Sequence, residues 1–220
     1  MGIHYQDRDI IVYKTSCGPY DNNSYLLICR KTGESTIIDT PEDPGAVIEQ
    51  ATGTNVQAIL ITHNHMDHLA GFDTVFSAYN VPVRIGSADG DALDGKGITE
   101  WISDSEDIHV GKLLIRPLHT PGHTPGSTCY AISTEQGENT LLFSGDTLFP
   151  GGPGKSGSPE LFLQEVRSIT GRLFPLPDKT AVFPGHGDDT TIGSAKYEYG
   201  IFATKQHADD LHGNVAWLDD

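Results

Sequence analysis

Short apolar runs separated by Gly-, Pro- and Asp-rich turns recur along the 220-residue chain, and their lengths are those of strands. Runs at 10–13, 25–28, 36–39 and 58–62 predict four strands in the first third. Pro44, preceded by Asp43 as N-cap, opens a predicted helix ending at Gln50, and a second helix is expected over 69–79. A strand at 81–85 precedes a Gly- and Asp-rich stretch, 86–97, that reads as a loop. Strands recur at 112–117, 127–132, 140–144 and 180–183. Between the last two, Ser158 and Pro159 open a helix whose Phe162, Val166, Ile169 and Leu173 share one face, a stripe read as core packing. Lys196, Tyr197, Tyr199 and Lys205 fall on a terminal amphipathic helix. No internal repeat is present. Two β-rich halves, each followed by helices, make an α/β chain, and 220 residues suit a single domain spanning 1–220.

The strand at 58–62 runs directly into His63, Asn64, His65, Met66, Asp67 and His68, an HxHxDH run. Alternate residues of an extended chain point the same way, so His63 and His65 can grip one ion together. Asp67 and His68 diverge from that pair and can reach a second. Three more candidates follow strand-like segments on Gly turns: His123 in Thr120–Pro121–Gly122–His123, Asp146 in Ser144–Gly145–Asp146, and His186 in Pro184–Gly185–His186. Glycine in these turns permits close backbone approach beside a crowded centre. Imidazoles mixed with carboxylates suit zinc, and also iron or manganese, whereas a purely structural zinc site would close itself with thiolates. The donor set therefore points to an open, catalytic site. His4, His109, His119, His207 and His212 lie outside this pattern and read as surface or core histidines. Ser127 and Cys129 have no adjacent base to activate them and read as strand residues.

Charge narrows the partners. With 14 Lys plus Arg against 30 Asp plus Glu, the net charge of −16 repels phosphate backbones, so nucleic acid is an unlikely partner and a small-molecule substrate is expected. The acidic excess, Asp219 and Asp220 included, reads as solvated surface. Cys17, Cys29 and Cys129 are odd in number and form no CxxC, which indicates neither a disulfide framework nor a cysteine zinc site. No signal-peptide pattern opens the chain and no run is long enough for a membrane span, so a cytoplasmic protein without membrane partners is expected. The run 151–157, which contains Lys155, lacks the P-loop order and reads as a flexible loop at the site mouth.

The HxHxDH run, TPGHTPGS, SGDTLF and PGHG, in that order from about Tyr25 to His186, resemble the metallo-β-lactamase superfamily, and within it the glyoxalase II-like hydrolases. The resemblance implies a four-layer αββα sandwich. It implies that His63, His65 and His123 bind one metal, that Asp67, His68 and His186 bind a second, and that Asp146 bridges them, with Asp39 supporting the ligands from behind. Two zinc ions are the implied cofactor, with iron or manganese also compatible. Asp67 and Asp146 would be the catalytic carboxylates, and a metal-bridging hydroxide would attack the carbonyl of a thioester such as a hydroxyacylglutathione. Glyoxalase II carries a basic helical C-terminal extension that is largely missing from the 34 residues after His186, so the thiol and acyl groups stay open. A mononuclear-iron persulfide dioxygenase of the same fold is an alternative, weakened because 151–157 stands where that family shows GRxD. A lactone or ester hydrolase and a non-catalytic metal sensor are further alternatives. Oligomeric state, homo-oligomer included, is open on sequence alone.

Overall fold

Period-two alternation along the strands builds the layers. The computed structural model describes residues 2–96, 99–102, 104, 106–133 and 140–218. The first sheet holds β1 (Tyr5–Gln6), β2 (Ile10–Cys17), β3 (Asn22–Cys29), β4 (Glu34–Ile38), β5 (Asn55–Leu60), β6 (Val83–Gly86) and β7 (Thr99–Ile102), in that spatial order. Its first four strands are antiparallel neighbours, and β4 to β7 run parallel. Helices α1 (Gly45–Gln50), α2 (Met66–Leu69) and α3 (Phe72–Tyr79) lie between its strands in sequence. The second sheet comprises β8 (Ile108–Val110), β9 (Leu113–His119), β10 (Thr128–Ser133), β11 (Thr140–Gly145), β14 (Ala181–Pro184) and β15 (Thr190–Thr191). A small hairpin, β12 (Leu148–Phe149) and β13 (Gly152–Pro153), follows β11, and α4 (Pro159–Ser168) and α5 (Ile192–Phe202) complete the chain.

Three apolar clusters separate four layers. Tyr25 and Leu27 join Leu141, Phe143 and Phe183 between the sheets, whereas Leu26 points the other way into a cluster with Val47, Phe72 and Val75 of the first helices. Leu142, between Leu141 and Phe143, turns outward to meet Phe162, Ile169, Ile192 and Trp217. Each sheet thus buries both faces, one on its partner sheet and one on helices, giving the αββα order expected from the sequence. The Phe162–Ile169–Leu173 stripe is part of that outer core, its last turn continuing α4 as a π-helical segment, Ile169–Leu173.

Several local expectations are corrected. The helix expected over 69–79 is two helices, broken at Gly71, where a Cβ would overlap the carbonyl oxygen of Pro41 and crowd the Pro44 ring. Gly71 instead donates its N–H to Thr40 (2.8 Å). Asp43 does not cap α1: it sits at φ 59°, Pro44 takes the N-cap position, and no side chain caps the helix. The stretch read as a loop at 86–97 contains a 3₁₀ helix, Ser87–Leu93, with a buried Asp89; Gly97 at its end lies outside the described residues, as do Asp219 and Asp220. The segment 151–157 is held rather than loose. Its β13 pairs with β12, the Gly151 carbonyl accepts from the Trp217 backbone N–H (2.7 Å), and Ser156 pairs with Gly213. Lys205 lies beyond the end of α5. The cysteines Cys17, Cys29 and Cys129 are free and buried. Among the described residues no helix is long and apolar enough to cross a membrane.

The two sheets are joined at one end. There β4, β5, β9, β11 and β14 all terminate, delivering Asp39, the HxHxDH run, His123, Asp146 and His186. Cross-sheet hydrogen bonds lock that end: Thr128 N–H to Thr62 carbonyl (2.8 Å), Tyr130 hydroxyl to Ile61 carbonyl (2.6 Å), and Asn23 N–H to Gly185 carbonyl (2.7 Å).

Candidate metal centre

Seven side chains from four loops converge at this end. His63, His65 and His123 each present one ligand atom within 4.8 Å of the others, and Asp67, His68 and His186 do the same. His63, His68 and Asp146 form a third such group that overlaps both. Asp146 stands in the middle, one carboxylate oxygen 3.3 Å from His68 Nε2 and the other 3.6 Å from His123 Nε2 and 3.5 Å from His186 Nε2. The structure therefore brings together all seven residues singled out from the sequence.

The donor atoms stand at spacings close to those that suit shared cations. His123 Nε2 lies 3.0 Å from His65 Nδ1, and His68 Nε2 lies 3.2 Å from His186 Nε2. Ligands about 2.0–2.1 Å from a shared tetrahedral ion stand ~3.3 Å apart, close to the 3.2 Å between His68 and His186 and somewhat above the 3.0 Å between His65 and His123. His63 Nε2 and Asp146 Oδ1 are buried without a hydrogen-bond partner. Buried polar atoms in that state are costly unless something binds them.

The opposite ring nitrogens are engaged, which sets the tautomers. His186 Nδ1 donates to the Tyr20 carbonyl (2.8 Å), and His123 Nδ1 donates to the Lys155 carbonyl (2.9 Å). His68 Nδ1 donates to Asp39 Oδ2 (3.0 Å). Asp39 also accepts from Thr62 N–H and from the Thr62 hydroxyl, both at 2.8 Å, and that hydroxyl in turn accepts from His63 Nδ1 (3.0 Å). One buried carboxylate thus orients two histidines, leaving the Nε2 of each turned to the centre. Asp39 reaches this position through a left-handed backbone, φ 57°.

Electrostatics sort the ligands. Burial, reinforced by the His68 imidazole, holds His63 well below the ordinary histidine value, and burial also lowers His123, so both are neutral donors at neutral pH. Burial likewise opposes charge on His68, but Asp39 and Asp146 outweigh it and raise its pKa to about 10. For Asp146 burial would favour the protonated acid; the imidazoles of His186 and His68 reverse this and hold it well below the carboxylate range. Cys129, by contrast, is pushed up to about 11 by burial, which removes it as a thiolate nucleophile.

Three supporting residues carried no signal in the sequence. Asp89, fully buried in the 3₁₀ helix, accepts from Gly126 N–H (2.8 Å), the Thr124 hydroxyl (2.6 Å) and Asn64 N–H (3.2 Å). It ties the HxHxDH run to the His123 turn. Asn22, also buried, donates to Asp67 Oδ2 (2.9 Å) beside His186. Glu165 of α4, pushed up to about 9 by burial, accepts from Gly154 N–H (3.1 Å). Gly154 has to be glycine: a Cβ there would overlap the Asp146 carbonyl oxygen and crowd His123 Nδ1 at 2.9 Å.

A cavity of about 500 Å³ opens over the centre between His123, Asp146, Phe149, Lys155, His186 and the tail at Asn214. The tail walls this cavity through Asn214, Val215 and Ala216, next to Trp217, which is wholly buried and bonded to Gly151. His119 lies near but outside the centre, its ring on the Pro125 carbonyl (2.9 Å).

Known proteins share this arrangement. Over 172 residues the chain is 36% identical to the cytoplasmic hydroxyacylglutathione hydrolase of Arabidopsis thaliana, a match covering 76% of this chain and 64% of that protein. It superposes on a metallo-beta-lactamase from Staphylococcus aureus with a TM-score of 0.77 and 29% identity, covering 86% of this chain and 62% of that one. The chain thus spans less than two thirds of the length of either. TTHA1623, crystallised in a di-iron-bound form, matches with a TM-score of 0.67 and 27% identity over 84% of this chain and 96% of its own. The family model described as the metallo-beta-lactamase superfamily matches residues 17–186, the span that holds all seven converging side chains, and the chain belongs to that superfamily.

Proposed function

We propose that the protein is a dinuclear metal-dependent hydrolase acting on a thioester whose thiol carries an anionic group, as hydroxyacylglutathione does. The observation that carries this reading is Asp146, whose carboxylate stands between the three-histidine group and the Asp67–His68–His186 group within 3.3–3.6 Å of donors on both sides. His63, His65 and His123 would hold one ion, Asp67, His68 and His186 the other, and Asp146 both. Divalent ions held there lower the pKa of water towards neutrality and polarise a carbonyl.

The chain's own residues do the rest. Asn22 fixes Asp67, whose pKa is lowered, with burial opposed by Asn22 and the imidazoles of His68 and His186, so the carboxylate is ionised and would accept a hydrogen bond that orients the proton of the attacking water. Among the described residues lining the cavity, Lys155 is the one lysine or arginine, and it suits the anionic end of the thiol. A thiolate leaves without a protein acid because its conjugate acid is itself acidic. The name of the Arabidopsis relative supports a thioester substrate. Zinc is the metal proposed; the donor set equally accommodates iron, which TTHA1623 holds as a pair.

A mononuclear-iron dioxygenase reading would leave the Asp67–His68–His186 group idle, although it is assembled as tightly as the three-histidine group. Elemental analysis together with a thioester and lactone hydrolysis panel on zinc-, iron- and manganese-loaded protein is the test. Two metals per chain and thioester turnover abolished by Asp146→Ala are expected. One iron per chain with oxygen consumption on a persulfide would overturn the proposal.

A further inference from the structure

The cavity beside Lys155 is one end of a longer trough. Its floor passes over Asp67 and His186, with Tyr20, Met66, Lys155 and Asn214 along the rim. Through Tyr20, Met66 and Asp67, which line both, it adjoins a second cavity of about 170 Å³ to which Pro19 and Ala70 also contribute. The two ends differ in chemistry. Lys155 and Asn214 mark one, while Pro19, Tyr20, Met66 and Ala70 line the other together with Asn22, Glu42 and Asp67, with no lysine or arginine among its lining residues. Met66 and Tyr20 are 77% and 67% exposed, large apolar side chains left in solvent at the edge of a metal centre. Both positions are pinned through the backbone to that centre: the Tyr20 carbonyl accepts from His186, and Met66 lies between His65 and Asp67.

Resting on the hydrolase reading above, we propose that the Pro19–Tyr20–Met66–Ala70 cavity is the acyl subsite and that it selects a short, uncharged, apolar acyl chain. A thioester lying across the centre has two arms. Its anionic thiol belongs at Lys155, so its acyl group extends over Asp67 to the apolar end. About 170 Å³ is roughly five or six water volumes, room for a chain of a few carbons and too little for a long fatty acyl group. Glu42, the lining carboxylate not assigned to a metal, repels an acyl group ending in a carboxylate. Each buried methylene contributes about 0.8 kcal/mol, or roughly fourfold, and the open side of the cavity brings this to about two- to fourfold per carbon.

The test is a series of glutathione thioesters on the metal-loaded protein: acetyl, butyryl, hexanoyl, decanoyl and succinyl. The expected result is kcat/KM rising about two- to fourfold per methylene from acetyl to butyryl, levelling off by hexanoyl or decanoyl, with succinyl at least about tenfold below butyryl. In Met66→Ser and Tyr20→Ser, exposed positions whose replacement leaves the core untouched, the butyryl-to-acetyl ratio should fall towards one. A second measurement needs no turnover: calorimetric binding of acetate, butyrate and hexanoate to zinc-loaded protein should show the same slope, diminished in both variants. A flat or falling series, or a slope indifferent to both substitutions, overturns the subsite. Absence of turnover on every thioester would overturn the hydrolase reading instead, and the carboxylate-binding slope would still decide the subsite.

Discussion

Asp89→Asn removes one acceptor oxygen from a buried carboxylate that receives three donors, two on one oxygen and one on the other. If the amide oxygen keeps Asn64 and Thr124, the amide nitrogen faces Gly126 N–H, donor against donor; the flipped amide strands the other pair. An unsatisfied buried donor costs about 1–3 kcal/mol, and the charge-assisted bonds that remain lose part of their strength, so destabilisation of ~2–4 kcal/mol is expected. For a chain of this size that is a fall in Tm of roughly 4–16 °C in metal-free protein. The effect on metal should be local. Asp89 bonds the run between His63 and His65, at Asn64, and the residue after His123, Thr124, rather than the Asp67–His68 end of that run or the His186 turn. Outer-sphere partners of this kind carry about 10–100-fold in metal affinity. Cobalt titration followed by absorbance should therefore show one of two binding steps weakened by that factor and the other shifted far less. Equal weakening of both steps, or a Tm within about 2 °C of wild type, would refute the assignment of Asp89 to the three-histidine half.

His68, with its pKa raised to about 10, is an imidazolium in metal-free protein at pH 7.5. Metal loading there should release about one proton from it, read by calorimetry in buffers of different ionisation enthalpy; no buffer dependence would contradict this. The same shift is upward from the unfolded value, so its contribution to metal-free stability is complete below about pH 6.5 and is lost as pH climbs through about 10. Glu165, raised to about 9, is protonated in the folded state while the unfolded chain ionises above about 4.5; wild type should therefore lose ground to Glu165→Gln as pH rises from 5 to 8, seen as a growing Tm advantage for the variant. Gly185→Ala places a Cβ over Asp146 Oδ1 and 2.7 Å from His68 Cε1, so metal content below two per chain in a folded protein is expected, by elemental analysis beside circular dichroism.

These perturbations divide the centre into a part that local sequence displays and a part that it hides. The histidines and aspartates that face one another were legible because each follows its own strand by one to eight residues, so strand pattern, Gly turn and ligand type coincide in a short window, and Asp39 sits the same way after β4. The layers were legible because Tyr25–Leu26–Leu27 and Leu141–Leu142–Phe143 are apolar on both faces, which only sheets covered on both sides require. Asp89, Asn22 and Glu165 offered no such coincidence. Asp89 meets Thr124 across 35 positions, Asn22 meets Asp67 across 45, and each is an unremarkable polar residue in its own window. Their meaning comes from burial, which turns an ordinary Asp or Asn into a group that must have partners and therefore dictates where those partners lie. The trough follows the same logic. Trp217 is buried in the apolar cluster with Phe162, Ile169 and Ile192 and donates its backbone N–H to Gly151, and Asn214, three residues before it, lines the same cavity as Tyr20 and Met66. Strand ends, which sequence pattern reveals, place the converging side chains, whereas the turn and tail surfaces around them have neighbours chosen by the fold.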